Sequence, residues 1–309
     1  MAILKTDEFS GFLHPEQSAP IFADAQRRST FQQLFRRIPL GINGNNIPVV
    51  TTKPTANWVG EGKSKPKTSL EMSLLQIKPQ KLAAISVMSA EVVRANPGNF
   101  TAELREGLAE AFAMAFDYAV GFGVGGDGAG SGPFQALAQQ APSQVQIGST
   151  AREHGGIHGD FAAALNLSLH NGGRVTGFAL SELLEPDLWG AVDTNGRPLY
   201  IDLPTDDTSG AITRPGRLLG RPSFMGAGLH YGGPVMGKPD AEIVGFAGDF
   251  TKGAWGAVGG ISYRLSTEAS VTIGSELVSL WENNLVAVLA EAEYGFVLAE
   301  AESFVTLTR

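Results

Sequence analysis

Several groups of residues in this 309-residue chain have types and spacings that invite a chemical reading. Gly121-Phe-Gly-Val-Gly-Gly fits the G-x-G-x-x-G pattern of dinucleotide-binding loops. That chemistry needs the loop to leave a strand and open a helix, so that the pyrophosphate meets a helix N-terminus. Here the glycines follow a helical run and face its carbonyl end, the wrong pole for phosphate, so they read as a helix stop and a flexible turn. His154 and His158 have a spacing found in zinc sites. A closed zinc site takes four ligands, however, and the intervening glycines preset no helix face, so both read as loop histidines. Asp207-Thr-Ser-Gly departs by one Ser from the spacing of aspartic-protease loops, and no Ser stands in G-x-S-x-G. The paired acids Asp206 and Asp207, like Glu291 and Glu293, read as surface or interface charges. With no Cys, there is no disulfide, thiolate metal site or cysteine nucleophile. No catalytic, metal or cofactor constellation emerges.

The elements that would position any such group are clearest in the middle of the chain. Phe100, Leu104, Leu108, Phe112, Ala115, Phe116 and Ala119 follow helical spacing, with Asn99 as N-cap and Glu103 and Glu106 in the early turns, which predicts a helix over 101–120. Ahead of it, 47–58 and 69–88 are strand-like, with Leu70, Met72 and Leu74 alternating with Ser69, Glu71 and Ser73. Between these runs Lys63, Lys65 and Lys67 alternate around Pro66, which makes a long two-stranded loop with a basic tip. A lone hairpin is barely stable in water, so this loop should lie on another surface. Residues 1–46 show no sustained period beyond a short amphipathic helix over 25–35, and read as an arm that needs a partner to become ordered. After a linker at 141–144 comes a mixed α/β region. Helices are expected over 160–170 and 181–192 (capped by Ser181) and a strand over 174–180, with turn chemistry in Asp193-Thr-Asn-Gly-Arg-Pro. Strands are expected over 243–250, 254–265, 285–298 and 304–307, the third despite an Ala/Glu content that also suits a helix.

Charge is divided along the chain. Residues 1–81 carry eleven Lys/Arg against six Asp/Glu, net +5, whereas 82–309 carry twelve against twenty-five, net −13. An acidic body repels phosphate, so the division is unsuited to gripping nucleic acid. It suits a basic leading part lying on the acidic body of a second copy, and equally a solvated surface with chance asymmetry. No signal-peptide pattern and no membrane-spanning run is present.

Read in order, these segments resemble a known family. Trp58-Val-Gly-Glu-Gly-Lys-Ser-Lys-Pro, then Ile77-Lys-Pro-Gln-Lys-Leu-Ala-Ala-Ile-Ser-Val-Met-Ser-Ala-Glu-Val, then Asp117-Tyr-Ala-Val-Gly-Phe-Gly and Gly132-Pro-Phe lead the series. Trp189, Asp193-Thr-Asn-Gly-Arg-Pro-Leu, Leu218-Leu-Gly-Arg-Pro, Phe246-Ala-Gly-Asp-Phe-Thr, Asn284-Leu-Val-Ala-Val-Leu-Ala-Glu-Ala-Glu-Tyr-Gly and Ala301-Glu-Ser-Phe-Val continue it. Their order resembles the tailed-bacteriophage major capsid proteins of the Hong-Kong-97-type fold. The resemblance implies an α+β architecture with an N-arm (1–46) and an extended E-loop (47–80). It further implies a P-domain (81–144 and 263–300) around a spine helix at about 101–120, and an A-domain (145–262 and 301–309).

The resemblance also implies function: self-assembly into hexamers and pentamers of an icosahedral shell enclosing double-stranded DNA, as part of the virion, assembled in the bacterial host cytoplasm. Its partners would be further copies of itself, a separate scaffolding protein (because Met1 precedes the arm almost at once) and a portal, with a cement protein optional. Trp58, Glu61, Lys63, Lys65 and Lys67 would make the E-loop contact. The prototype crosslinks a loop Lys to an Asn with help from a Glu, and Asn284 and Glu291 stand at the matching places. A desolvated Glu would take a proton from Lys63, Lys65 or Lys67, whose neutral amine attacks the Asn284 amide and expels ammonia. The plainer reading is that the same residues simply hydrogen-bond within a non-covalent shell. The rival readings are an encapsulin-like compartment shell of the same fold and a soluble α/β enzyme using the glycines at 121–132.

Overall fold

The chain is organised around one long strand, β15 (Leu285–Leu298), and one long helix, α3 (Phe100–Gly121). The computed structural model describes residues 25, 28–52, 54–61, 63–69, 71–95, 100–126, 128, 130–151, 155–191, 200–202, 214–232, 242–273 and 276–309. Asn99, His154, the Asp193 turn, Asp206 and Asp207 lie outside the described residues.

Strand β15 alternates as a two-faced strand must: Val286, Val288, Ala290, Ala292 and Tyr294 are buried. On one edge it pairs antiparallel with β4 (Gln80–Ser89). On the other it pairs with β11 (Gly253–Ala257) and β12 (Ser262–Ser266), and β1 (Arg36–Pro39) runs parallel beyond β11. The single strand expected over 254–265 is thus two strands, parted at Val258–Ile261, where Gly259 turns with φ +70°. Helix α3 covers the buried face through Leu108, Phe112 and Phe116, the last with its ring 5.4 Å from Tyr294. Its 22 residues span about 33 Å at 1.5 Å per residue.

The helix stops where the glycines begin. The amides of Phe122 and Gly123 both donate to Tyr118 O at 3.0 Å, with Gly123 left-handed at φ +69°. That is a helix C-cap at the carbonyl end of α3.

A second, seven-stranded sheet has the order β5-β16-β10-β6-β9-β8-β7. Its strands are β5 (Ser143–Gln146), β6 (Gly177–Ser181), β7 (Tyr200–Asp202), β8 (Arg214–Leu218), β9 (Arg221–Gly226), β10 (Ile243–Gly248) and β16 (Val305–Thr308). The expected linker at 141–144 therefore runs into a strand, β5 lying parallel to β16. Helix α5 (Gly156–His170) packs on one face through Phe161 and Ala164, against Phe178, Leu180 and Val305. The opposite face, with Ala179 and Phe246, joins the core under α3. The helix expected over 181–192 is a 3₁₀ turn (Glu182–Leu184) capped by Ser181 Oγ, followed by α6 (Glu185–Trp189).

The leading segment departs most from expectation. Residues 29–40 need no second copy to become ordered. Helix α1 (Thr30–Leu34) and β1 put Phe31 and Phe35 fully into the core. The rings of Phe35 and Phe296 are 5.1 Å apart, and Trp255 Nε1 donates to Gln32 O at 3.1 Å.

Candidate assembly interface

Strands β2 (Asn45–Thr52) and β3 (Glu71–Ile77) pair antiparallel with each other and, among the described residues, with no other strand. Their root is fixed. Ile77 is fully buried, and Gly44, at φ +81°, lies so close that a Cβ there would stand 2.4 Å from Ile77 O. Beyond the root none of the described residues is buried: Trp58 is 104% exposed, Leu74 69%, Met72 60% and Val50 44%. Glu61, Lys63, Lys65 and Lys67 are all exposed on the intervening loop, which is braced by Thr55 N donating to Thr68 Oγ1 at 2.9 Å. A two-stranded ribbon with its large apolar side chains in water has no core of its own, so its stability must come from whatever it lies against.

The uncovered face of the β15 sheet offers such a surface. Directly paired residues share a face, so Ala83 and Glu291 lie together, as do Ile85 and Leu289, whereas the next pair, Val87 with Ala287, is already covered, Ala287 being buried. Ile85 is 56% exposed in this apolar strip. At its end Lys81 Nζ meets Glu291 Oε1 at 2.5 Å. The hydrogen bond from Lys81 holds the Glu291 carboxyl below the usual carboxylate range; partial desolvation opposes this, and the charges of Lys81 and Arg264 reinforce it.

The candidate crosslinking groups are not brought together within a subunit. Asn284 is exposed in the turn before β15, left-handed at φ +52°, with its carbonyl accepting from Ala90 N at 2.9 Å. Seven residues of extended strand put Glu291 about 23 Å from it. Any joint action on one lysine would draw these groups from different subunits. Glu291 is moreover already paired and held ionised as a weak base, the opposite of a desolvated proton acceptor.

Sequence reasoning missed a second exposed ribbon, β13 (Ser270–Ile273) with β14 (Glu276–Ser279). Leu277 is 73% exposed, the following Trp281 76% and Ile273 47%. The signal was the alternation of apolar residues over 271–277, masked by the stronger pattern of β15. His158 lies on α5, and no group of three or more metal-ligating side chains occurs among the described residues. No described helix is long and apolar enough to cross a membrane.

Two protruding apolar ribbons, a partly apolar sheet face and two well-packed cores make a subunit built for contact with others. The sequence matches the Phage capsid family over residues 10–308. The chain belongs to that family. It is 37% identical over 308 residues to the "Probable major capsid protein gp17" of Mycobacterium phage D29, covering 97% of this chain and 91% of the relative. The protein of the same name from Mycobacterium phage L5 is likewise 37% identical, covering 97% and 90%. Among solved structures, one from Mycobacterium phage Adephagia superposes with a TM-score of 0.68 at 19% identity, covering 99% of this chain and 98% of that one. A Gordonia phage Cozz chain gives 0.63 at 23% identity, covering 91% and 86%. The α+β fold is therefore the phage-capsid fold, and this capsid protein serves as a shell subunit. The relatives named here are phage proteins, which does not favour the encapsulin-like alternative.

Proposed function

We propose that copies of this capsid protein assemble into hexamers and pentamers by laying the E-loop ribbon of one subunit over the open sheet face of the next. The observation that carries this reading is the ribbon itself: Trp58, Met72 and Leu74 exposed on a hairpin that has no core. Met72 and Leu74 supply apolar area for the strip around Ile85. Lys63, Lys65 and Lys67, with Trp58 and Glu61 beside them, supply positive charge for an acidic neighbour, since residues 82–309 carry a net −13. Many modest contacts of this kind gain strength when a shell closes.

The closed shell encloses double-stranded DNA without gripping it. It forms in the bacterial cytoplasm with a separate scaffolding protein and a portal as partners, and a cement protein is an optional addition. The shell is held non-covalently, because the pairing of Glu291 with Lys81 removes the base that a Lys–Asn bond would need. Electron microscopy of the chain, produced with and without its scaffold, tests the assembly. Closed particles are expected; monomers or amorphous aggregate under both conditions would overturn it. Boiling particles in detergent should give one band near 32.5 kDa, and a ladder would overturn the non-covalent reading.

A further inference from the structure

Among the described residues three carboxylates are almost fully buried, and two of them serve local turns. Asp160 takes the amides and hydroxyls of residues 148–150, and Asp249 those of Thr251. Asp117 is different, because its donors are 86 to 88 residues away. Its Oδ1 accepts from Ser29 Oγ at 2.7 Å and Phe31 N at 3.3 Å, and its Oδ2 from Thr30 N at 2.9 Å. Ser29 Oγ in turn accepts from Gln32 N at 3.2 Å. Carboxyl and serine together therefore satisfy the amides that open α1, groups that helix geometry leaves without partners. Behind the carboxyl stands Gly228, where a Cβ would come 3.1 Å from Asp117 Cβ. Glu106, Glu110 and Asp117 share one stripe of α3. Arg28 reaches the first two at 3.7 and 3.6 Å, so the segment around 28–31 is fastened along that stripe by both ends of its charge pattern.

We propose that Asp117 is a proton-controlled clamp that sets how firmly the leading segment from Ser29 is held on the spine helix, holding it most tightly when protonated. In the clamped state the carboxyl has no water, so ionising it costs more there than in a released state where it is solvated. The protonated acid keeps Oδ2 as the carbonyl acceptor for Thr30 N and offers the O–H on Oδ1 to Ser29 Oγ, at the expense only of the longer bond from Phe31 N. Burial pushes the carboxyl up to about 7, against the opposing pull of the hydrogen bonds from Ser29, Thr30 and Phe31. Its ordinary value, expected on release, is 3.8. Below 3.8 both states are protonated and the hold is complete; it weakens as pH rises from there to about 7 and is constant above. The charged and titratable groups around the clamp include Arg28 with Glu106 and Glu110, and His230, just past the turn at Gly228, which bonds Glu242 at 2.8 Å. A capsid subunit so built yields its leading segment to rearrangement more readily at alkaline than at acid pH.

Hydrogen-exchange protection of residues 29–35 in the full-length chain, corrected for intrinsic rates, tests the clamp. Protection should fall roughly thirtyfold between about pH 5.5 and 8.5. Asp117→Asn, neutral and of the same shape, should flatten that dependence, and His230→Gln should leave it unchanged. Ser29→Ala, which keeps the carboxyl but removes a donor favouring its ionised form, should move the midpoint to higher pH. A flat wild-type profile, a wild-type profile persisting in Asp117→Asn, its loss in His230→Gln, or an unmoved midpoint in Ser29→Ala would each overturn the proposal. If Asp117→Asn fails to fold, the wild-type and Ser29→Ala profiles decide.

Discussion

Two neighbouring stretches, 29–40 and 45–77, both suggest in sequence segments that wait for another subunit, yet they meet opposite fates. The first is anchored by its own chain: Phe31 lies against Gly121, Phe35 against Gly253, and Asp117 closes over the start of α1. The second leaves its own chain at Ile77 and buries none of its described residues beyond it. The difference lies in what each stretch can match. Missing Cβ atoms at Gly121 and Gly253 leave room for two rings, 3.1 and 2.4 Å from where those atoms would stand. The ribbon's Trp58, Met72 and Leu74 find no such vacancy in their own subunit. Order in the first stretch belongs to folding, and order in the second to assembly.

The comparison breaks most easily at Phe31. Phe31→Ala should destabilise the isolated subunit by about 3–5 kcal/mol, since the ring is fully buried and its site is walled by Phe35 and Phe246. Denaturant unfolding would check this, and a loss under about 1 kcal/mol would make 29–40 a peripheral arm after all. Gly44→Ala comes next. It forces a side chain into a left-handed position, 2.4 Å from Ile77 O, and should cost about 1–3 kcal/mol while loosening the root of the ribbon. Proteolysis should then cut 45–77 faster with the rest of the chain intact; uniform digestion would mean that root and core are one unit.

Much of this fold was legible because it follows simple periods. Helix α3 and strand β15 lie within a residue of where their spacing puts them, and the β2–β3 ribbon follows from alternation around a Pro and Lys tip, although the run expected over 69–88 is two strands of different sheets, β3 and β4, parted at Lys78 and Pro79. What escaped was set by contacts across long sequence distances. The burial of 29–40 depends on glycines some 90 and 220 residues away, and β12 separates from β11 only because both must fit one edge of β15. The interface was legible in part. Lys63, Lys65 and Lys67 are exposed as their pattern requires. The engagement of Glu291 by Lys81 was not readable, since it rests on a diagonal across β4 and β15 that only the register reveals. Asp117 gave no signal at all, because a lone acid on a mostly apolar helix is ordinary until its partners are known.

The smallest effect on the subunit should come from the residue that looks most costly to leave in water. Trp58→Ala removes an indole that touches little within its own chain, so unfolding should change by no more than about 0.5 kcal/mol. Assembly should nonetheless fall, because exposed aromatic anchors contribute heavily once they enter a partner's surface. Reversing Lys63, Lys65 and Lys67 to Glu should act through charge alone, lowering assembly at low salt more than at high, where exposed charges are screened. Calorimetry with sedimentation on the same samples separates the two quantities. Should Trp58→Ala lower stability and assembly together, the ribbon would count as part of the folded subunit, and its contrast with 29–40 would vanish. Should assembly be unimpaired in both variants, the ribbon would not be the contact that joins subunits.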